Sequence, residues 1–369
     1  MHYVLRYDFG TYWGNPSMLD FLTDSQTVAI IGLTGGLLLG LAARLGRFCT
    51  LGAIEDLLYG GSSLRMRMWV LAIGVAVIGS FSLISQGLLD ETETFYLSIR
   101  WMPAASILGG LMFGYGMALS GNCGYGAIAR LGGGDLRSFV IVLVMGVSTY
   151  VALTGPLAPL RNYLFLQESV TSELPPGLIH HVAALTGLPL AGLGISAGIA
   201  IVIAALSNAE FRQDYSAIFW SVVVGVAVVT GWAGSYYIHL NGFDALPVVS
   251  HSFSAPLGET ILWTMTGSLR PLSFAVGSVV GVWVGAFVGS LIKGHFRWEA
   301  CDDPRELRRQ IIGAAIMGVG AVVAMGCTIG QGLSAFSVLS ISAPVTFLAI
   351  FAGAAIGLRQ LIEGFKLTS

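Results

Sequence analysis

Charge is scarce in this sequence. Only 10% of its 369 residues are Asp, Glu, Lys or Arg, where a soluble domain carries about 25%. Hydrophobic residues make up 55%, and the mean hydropathy is +0.79. A soluble enzyme is excluded, and an integral membrane protein is required. The net charge is −2 and no basic tract occurs, so nothing points to a nucleic-acid partner. Cysteine is also rare. There are four, three of them in apolar stretches, which argues against a secreted disulfide framework. No CxxC or HxxxH pair offers zinc ligands, so neither a metal site nor a cofactor is expected. No GxxxxGK[ST] loop is present, so the chain does not itself hydrolyse ATP. No basic stretch followed by an apolar core opens the chain. Residues 1–27 therefore read as an outer extramembrane arm and not as a cleaved signal. Acidic residues and histidine are almost missing from the apolar segments, so no proton relay stands out.

What the chain does have is apolar length. Nine segments approach the roughly 20 residues that span a bilayer: 28–45, 68–88, 101–119, 138–155, 189–206, 217–237, 272–292, 311–326 and 343–361. The expected fold is an all-α polytopic bundle. Fifty glycines suit close helix packing and broken helices in such a bundle. Of the 18 Lys and Arg residues, all but Arg6, Arg100, Arg161 and Arg270 fall on the side reached after the first segment. That asymmetry places the N-terminus outside and the C-terminus in the cytoplasm. Segments one to four resemble segments six to nine, and a shift of five segments reverses direction. Two inverted repeats follow, 28–155 and 217–369, joined by an outer linker and connecting helix at 156–216.

The rare cysteines are not scattered. Gly40 leads to Cys49 and Gly52, Gly114 to Cys123 and Gly126, and Gly318 to Cys327 and Gly330, always at the same spacing. GLLLGLAARLGRFCTLGAI (36–54) overlays GLMFGYGMALSGNCGYGAI (110–128) without a gap. In the second repeat Gly225 takes the place of Gly40, and Gly234 falls where Cys49 would be. The stretches after each thiol (50–58, 124–131, 328–337) are too short to span and read as half-helices. Irregular backbone of this kind is tolerated at membrane depth only beside protein or a wet cavity. Cys301, in the charged run WEACDD, reads as incidental.

Single thiols spaced along a path suit a soft, sulfur-containing solute. A neutral thiol is a weak donor and a weak acceptor, and conduction needs sites that release as well as bind. A thiolate would repel an anion, so the thiols must stay protonated. Half-helix N-termini beside Cys49, Cys123 and Cys327, opened by Gly52, Gly126 and Gly330, supply the positive partners. Asn122, Thr328 and Gln331 stand beside the thiols as hydrogen-bonding side chains or as packing contacts. Arg47 either draws an anion inward or anchors the inner face. Glu55 and Asp56 read as cytoplasmic helix residues, since a carboxylate on an anion path is costly. His180 and His181 belong to an interfacial outer loop. The stretch around SHSFSAPLGETILW either covers the outer entrance or is a Pro-punctuated loop. Two other classes remain open: a sulfurtransferase carrying a persulfide on one cysteine, and a sulfur or selenium sensor that binds without transporting.

GRFCTLGAIEDLLYGG, SGNCGYGAIARLGGGD and MGCTIGQGLS, with SFSAPLGETILW and FRWE between them, resemble the YeeE/YedE membrane proteins. The likeness runs from about residue 28 to 361. It implies uptake of thiosulfate or a related sulfur compound. It also implies an hourglass-shaped bundle of inverted repeats, with Cys49, Cys123 and Cys327 near the constriction passing the anion through transient S–H contacts. Because some relatives work with a small cytoplasmic sulfur carrier of the TusA type, it implies such a carrier as a separate partner.

Overall fold

A computed structural model describes residues 22–165, 175–300 and 303–364. Most of the N-terminal arm and Cys301 lie outside these residues. Each apolar segment is a helix. The first repeat holds α1 (Asp24–Leu45), the short α2 (Thr50–Leu58), α3 (Leu64–Ser85), α4 (Pro103–Ser120), the short α5 (Gly124–Gly132) and α6 (Leu136–Leu153). A connecting helix α7 (Leu190–Leu206) follows. The second repeat holds α8 (Tyr215–Asn241), the short α9 (Ala255–Thr266), α10 (Phe274–Ile292), α11 (Pro304–Val323), a π-helix (Gly330–Ala335) and α12 (Ser342–Glu363). Among the described residues seven stretches are long and apolar enough to cross a membrane. The two expected spans outside that set are α7, with 17 residues, and α11, whose first turns carry Arg305, Glu306, Arg308 and Arg309. The result is a polytopic helical membrane bundle without strands among the described residues.

The helix ends follow local chemistry. Thr23 and Gln26 form a reciprocal capping box that starts α1. The chain leaves α1, α4 and α11 in one way. The residue two places before each thiol is left-handed: Arg47 at φ 55°, Gly121 at φ 75° and Met325 at φ 55°. This turn ends the long helix and aims the next residues back into the bundle. Glycine adopts it freely, whereas Arg47 and Met325 hold it under strain.

Backbone contact holds the bundle together. Gly32, Gly36 and Gly40 of α1 lie on the carbonyl oxygens of Phe274, Ser278 and Val282 of α10, so a Cβ at any of them would strike backbone. Gly277, Gly281 and Gly285 of α10 lie in turn on the carbonyls of Ala29, Leu33 and Leu37. In lipid, where no hydrophobic drive brings helices together, such close approach is what packing must supply.

The pairing pattern is unchanged when the two repeats exchange. α1 packs on α10 and α8 on α3; α4 packs on α12 and α11 on α6; α2 packs on α12 and α9 on α6; α5 packs on α10 and the π-helix on α3. This corrects the register of the second repeat. Gly234 lies inside α8 against Ile31. The residue that starts the corresponding half-helix is Ser254, the N-cap of α9, as Cys49 is the N-cap of α2. SAPLGETILW is thus the start of a helix and not an irregular loop. Its serine-rich approach looks loop-like in sequence because its polar groups are paired only by folding: Ser250 Oγ donates to the Val228 carbonyl, and the His251 carbonyl accepts from Ser334 Oγ of the π-helix. The linker is also docked. Leu178 N–H donates to Leu339 O, Ile341 N–H donates to Pro176 O, and buried His180 lies 3.5 Å from Glu91.

Candidate transport site

Each of the three repeated cysteines begins a half-helix. Their carbonyls accept the first helical hydrogen bonds, from Ala53, Ala127 and Gln331. Their side chains differ in steps. Cys49 is half-buried and its thiol takes no capping bond. Cys123 is fully buried, and its Sγ accepts from Gly126 N–H at 3.4 Å. Cys327 is buried, and its Sγ accepts from Phe253 N–H at 3.2 Å and Gly330 N–H at 3.4 Å and contacts the Ser252 hydroxyl at 3.7 Å. Cys123 is close enough to each of the other two thiols to interact with it. Phe253 joins the last two positions. Its N–H meets Cys327, while its carbonyl sits where a Cβ on Gly124 would be, 2.6 Å away.

Two cavities meet this row. The first, of about 420 Å³, is lined by Cys49, Gly52, Asn122 and Gly126 together with Arg44, Arg47, Arg65, Arg130, Lys293 and His295. Glu55 is its one carboxylate among the described residues, contrary to the reading of Glu55 as a plain cytoplasmic helix residue. Asp56 is drawn off instead by Arg65, at 3.2 Å. The cations are held by backbone. Lys293 Nζ donates to the Arg44 and Leu45 carbonyls, and Arg44 Nη2 to the Arg130 carbonyl. With Arg65 bridged to Asp56, four further cations against the one carboxylate still make a focused positive potential. Burial, then Arg47 and Arg44, push the Lys293 ammonium below its ordinary value of 10.5.

The second cavity, of about 300 Å³, has no Lys or Arg among its lining residues. Tyr96, Ser250, Ser252, Ser254 and Ser278 supply hydroxyls, Phe95, Trp232 and Phe274 supply rings, and Met325 and Gly326 lead to Cys327. The cavities lie at opposite ends of α10. Ser278 borders the hydroxyl cavity and Gly289 the basic one, about 16 Å apart along a helix rising 1.5 Å per residue.

The glycines three residues beyond the thiols serve these spaces. A Cβ at Gly330 would come within 2.8 Å of both Ser252 Oγ and Tyr96 Oη, and one at Gly126 would face Asn122 Oδ1 at 3.4 Å. One at Gly52 would strike the Arg65 guanidinium. Their missing side chains keep the half-helix N-termini open to polar groups. Thr328 is buried beside Cys123, with its hydroxyl against that thiol and no other protein partner, and the Thr50 hydroxyl finds none. Gln331 is occupied otherwise. Its amide donates to the Ala324 and Met325 carbonyls and accepts from Ser342, so it clamps the strained turn before Cys327. Sequence reasoning placed Ser252 only in a stretch that could cover the outer entrance, and it gave no site role to Phe253, Tyr96, Arg44, Arg65, Arg130 or Lys293. The stretch SHSFS was visible as an uncharged, hydroxyl-rich approach to an apolar helix, but the cations come from separate elements with no shared pattern.

A helical membrane bundle in which two cavities converge on buried thiols is the architecture of a multi-pass transporter for a small solute. Comparison with known proteins specifies it further. The chain belongs to the sulphur transport family, the YeeE/YedE proteins, whose family model matches residues 45–356. It is 26% identical over 327 residues to the thiosulfate transporter TsuA of Escherichia coli K12, covering 83% of this chain and 87% of that one. It is 25% identical over 326 residues to the thiosulfate transporter TsuA of Spirochaeta thermophila, covering 84% and 92%. A probable transporter, YedE of Salmonella typhimurium, is 29% identical over 91 residues, a quarter of this chain. The chain is thus a membrane transporter for a sulfur compound and not an enzyme.

Proposed function

We propose that the chain imports thiosulfate, or a closely similar sulfur oxyanion, by handing it along Cys327, Cys123 and Cys49. The single observation that carries this reading is the row of three half-helix thiols between a hydroxyl cavity and a basic one. The anion is received among the hydroxyls of Ser252 and Tyr96, next to Cys327. A protonated thiol donates a weak hydrogen bond to its outer sulfur, and the open N-terminus at Gly330 faces its negative charge. The same pair of contacts recurs at Cys123 with Gly126 and at Cys49 with Gly52. Thr328, Asn122 and Thr50 offer further hydrogen bonds, and Arg47 with its neighbours attracts the anion into the basic cavity. No contact is strong alone, which permits release. With Phe253 and Tyr125 packed around the buried thiols, passage needs side-chain movement at the neck.

The basic cavity belongs on the cytoplasmic side of a bacterial inner membrane, with the N-terminus outside and the repeats 28–155 and 217–369 inverted about the neck. The excess of Lys and Arg on that side supports this orientation. A cytoplasmic sulfur carrier of the TusA type would collect its cargo there. The test is growth on thiosulfate as sole sulfur source in a strain without its own uptake system. Wild type should restore growth, and Cys123→Ala and Cys327→Ala should abolish it while both proteins remain in the membrane. Full growth with both variants would defeat the relay.

A further inference from the structure

The hydroxyl cavity holds a carboxylate that an anion path does not call for. Glu259, in the second turn of α9, lines the cavity, and one of its oxygens accepts from Ser273 Oγ at 2.5 Å. Among the described residues no Lys, Arg or His lies within ion-pair distance of it. α9 packs on α6 and α10. Tyr150 of α6 is the titratable group beside Glu259, and Arg270 beyond the end of α9 also acts on Tyr150. Tyr96 lines the same cavity, and buried His251 is hydrogen-bonded through Nδ1 to Ser278, another of its lining hydroxyls. Ionisable groups are rare within membrane bundles and mark ion pathways. The corresponding half-helix of the first repeat, α2, has its carboxylate Glu55 in a cavity with five cations; Glu259 has no such company.

Two negative charges in one cavity oppose each other. Whatever neutralises Glu259 therefore strengthens anion binding, and by reciprocity the anion strengthens binding of the neutralising group by the same factor. We propose that Glu259, with the Ser273 hydroxyl, seats a monovalent cation, a proton or a sodium ion, that enters the hydroxyl cavity together with the sulfur oxyanion. The site converts a passive path for a dianion into one that draws on a cation gradient. This inference rests on the reading of the chain as a carrier of thiosulfate.

The test uses the full chain in proteoliposomes with the membrane voltage clamped. Initial uptake of labelled thiosulfate is compared without a gradient, with an inward proton gradient and with an inward sodium gradient. One of the two gradients should raise the wild-type rate roughly tenfold, within the range of measured couplings, and the responding arm identifies the cation. Glu259→Gln should lose that response, and Glu259→Asp should keep part of it. Wild-type flux indifferent to both gradients would overturn this inference alone, as would an undiminished response in Glu259→Gln. No wild-type thiosulfate flux under any condition would overturn the underlying reading and this inference with it.

Discussion

The two cavities at the ends of α10 solve one problem by different means. On the proposed path the basic cavity would meet an anion with Arg44, Arg47, Arg65, Arg130 and Lys293. The hydroxyl cavity would meet it with Tyr96, serines and a carboxylate. Full charges act at range and are indifferent to shape, whereas hydroxyls act only at contact and depend on geometry. Selection therefore belongs to the hydroxyl side, and attraction to the basic side. The turns before the thiols differ likewise. The basic side uses glycine at Gly121 and strained arginine at Arg47, and the hydroxyl side uses strained Met325 clamped by Gln331.

Three experiments sharpen or break this contrast. The largest effect is expected from charge. Arg47→Gln combined with Arg65→Gln should weaken thiosulfate affinity at the basic face about 100-fold, near 1.4 kcal/mol per charge. Binding measured from that face should also weaken as salt is added. An equal salt effect on uptake from the hydroxyl face would erase the distinction. A smaller effect is expected from pH. Lys293 has its ammonium form disfavoured by burial, Arg47 and Arg44. Below its titration it is a cationic partner, and above it the partner is neutral. Affinity at the basic face should therefore fall about tenfold as pH rises through a value below 10.5. In a Cys49→Ala background, which removes the ionisable thiol of this cavity, the Lys293→Met profile should be flat over that window, with Arg44, Arg47, Arg65 and Arg130 still charged. The smallest effect is conformational. Gly121→Ala meets no atom within 4 Å but must hold φ 75°, so it should cost about 1–2 kcal/mol of stability. Thermal unfolding in detergent would read this, with transport by the folded fraction little changed.

Much of this was legible in the sequence. Apolar length located the long helices, and the recurring Gly–Cys–Gly spacing located three half-helices, because both signals are local. The second repeat was read out of register at Gly234, since Ser254 carries no thiol to mark it. Burial of the serines near it depends on carbonyls such as Val228 that arrive from another helix. Gln331 seemed available to a solute because the Ala324–Gly326 turn that occupies it exists only after folding. Four of the five cations of the basic cavity come from α1 with its following turn, α3 and α5, and the fifth, Lys293, follows α10. No sequence window contains all of them.

The interlocked glycines of α1 and α10 also set a timetable for making the protein. Gly32 of α1 rests on Phe274 of α10, a partner synthesised more than two hundred residues later. At about 5–20 residues per second, the first helix waits on the order of 10–50 s for the backbone it must touch. Until then its glycine face meets only lipid or temporary neighbours. Neither repeat can settle before the other has been inserted, so maturation is a closing event for the whole chain. A ribosome that stalls after α9 would leave in the membrane a first half that has no finished form of its own.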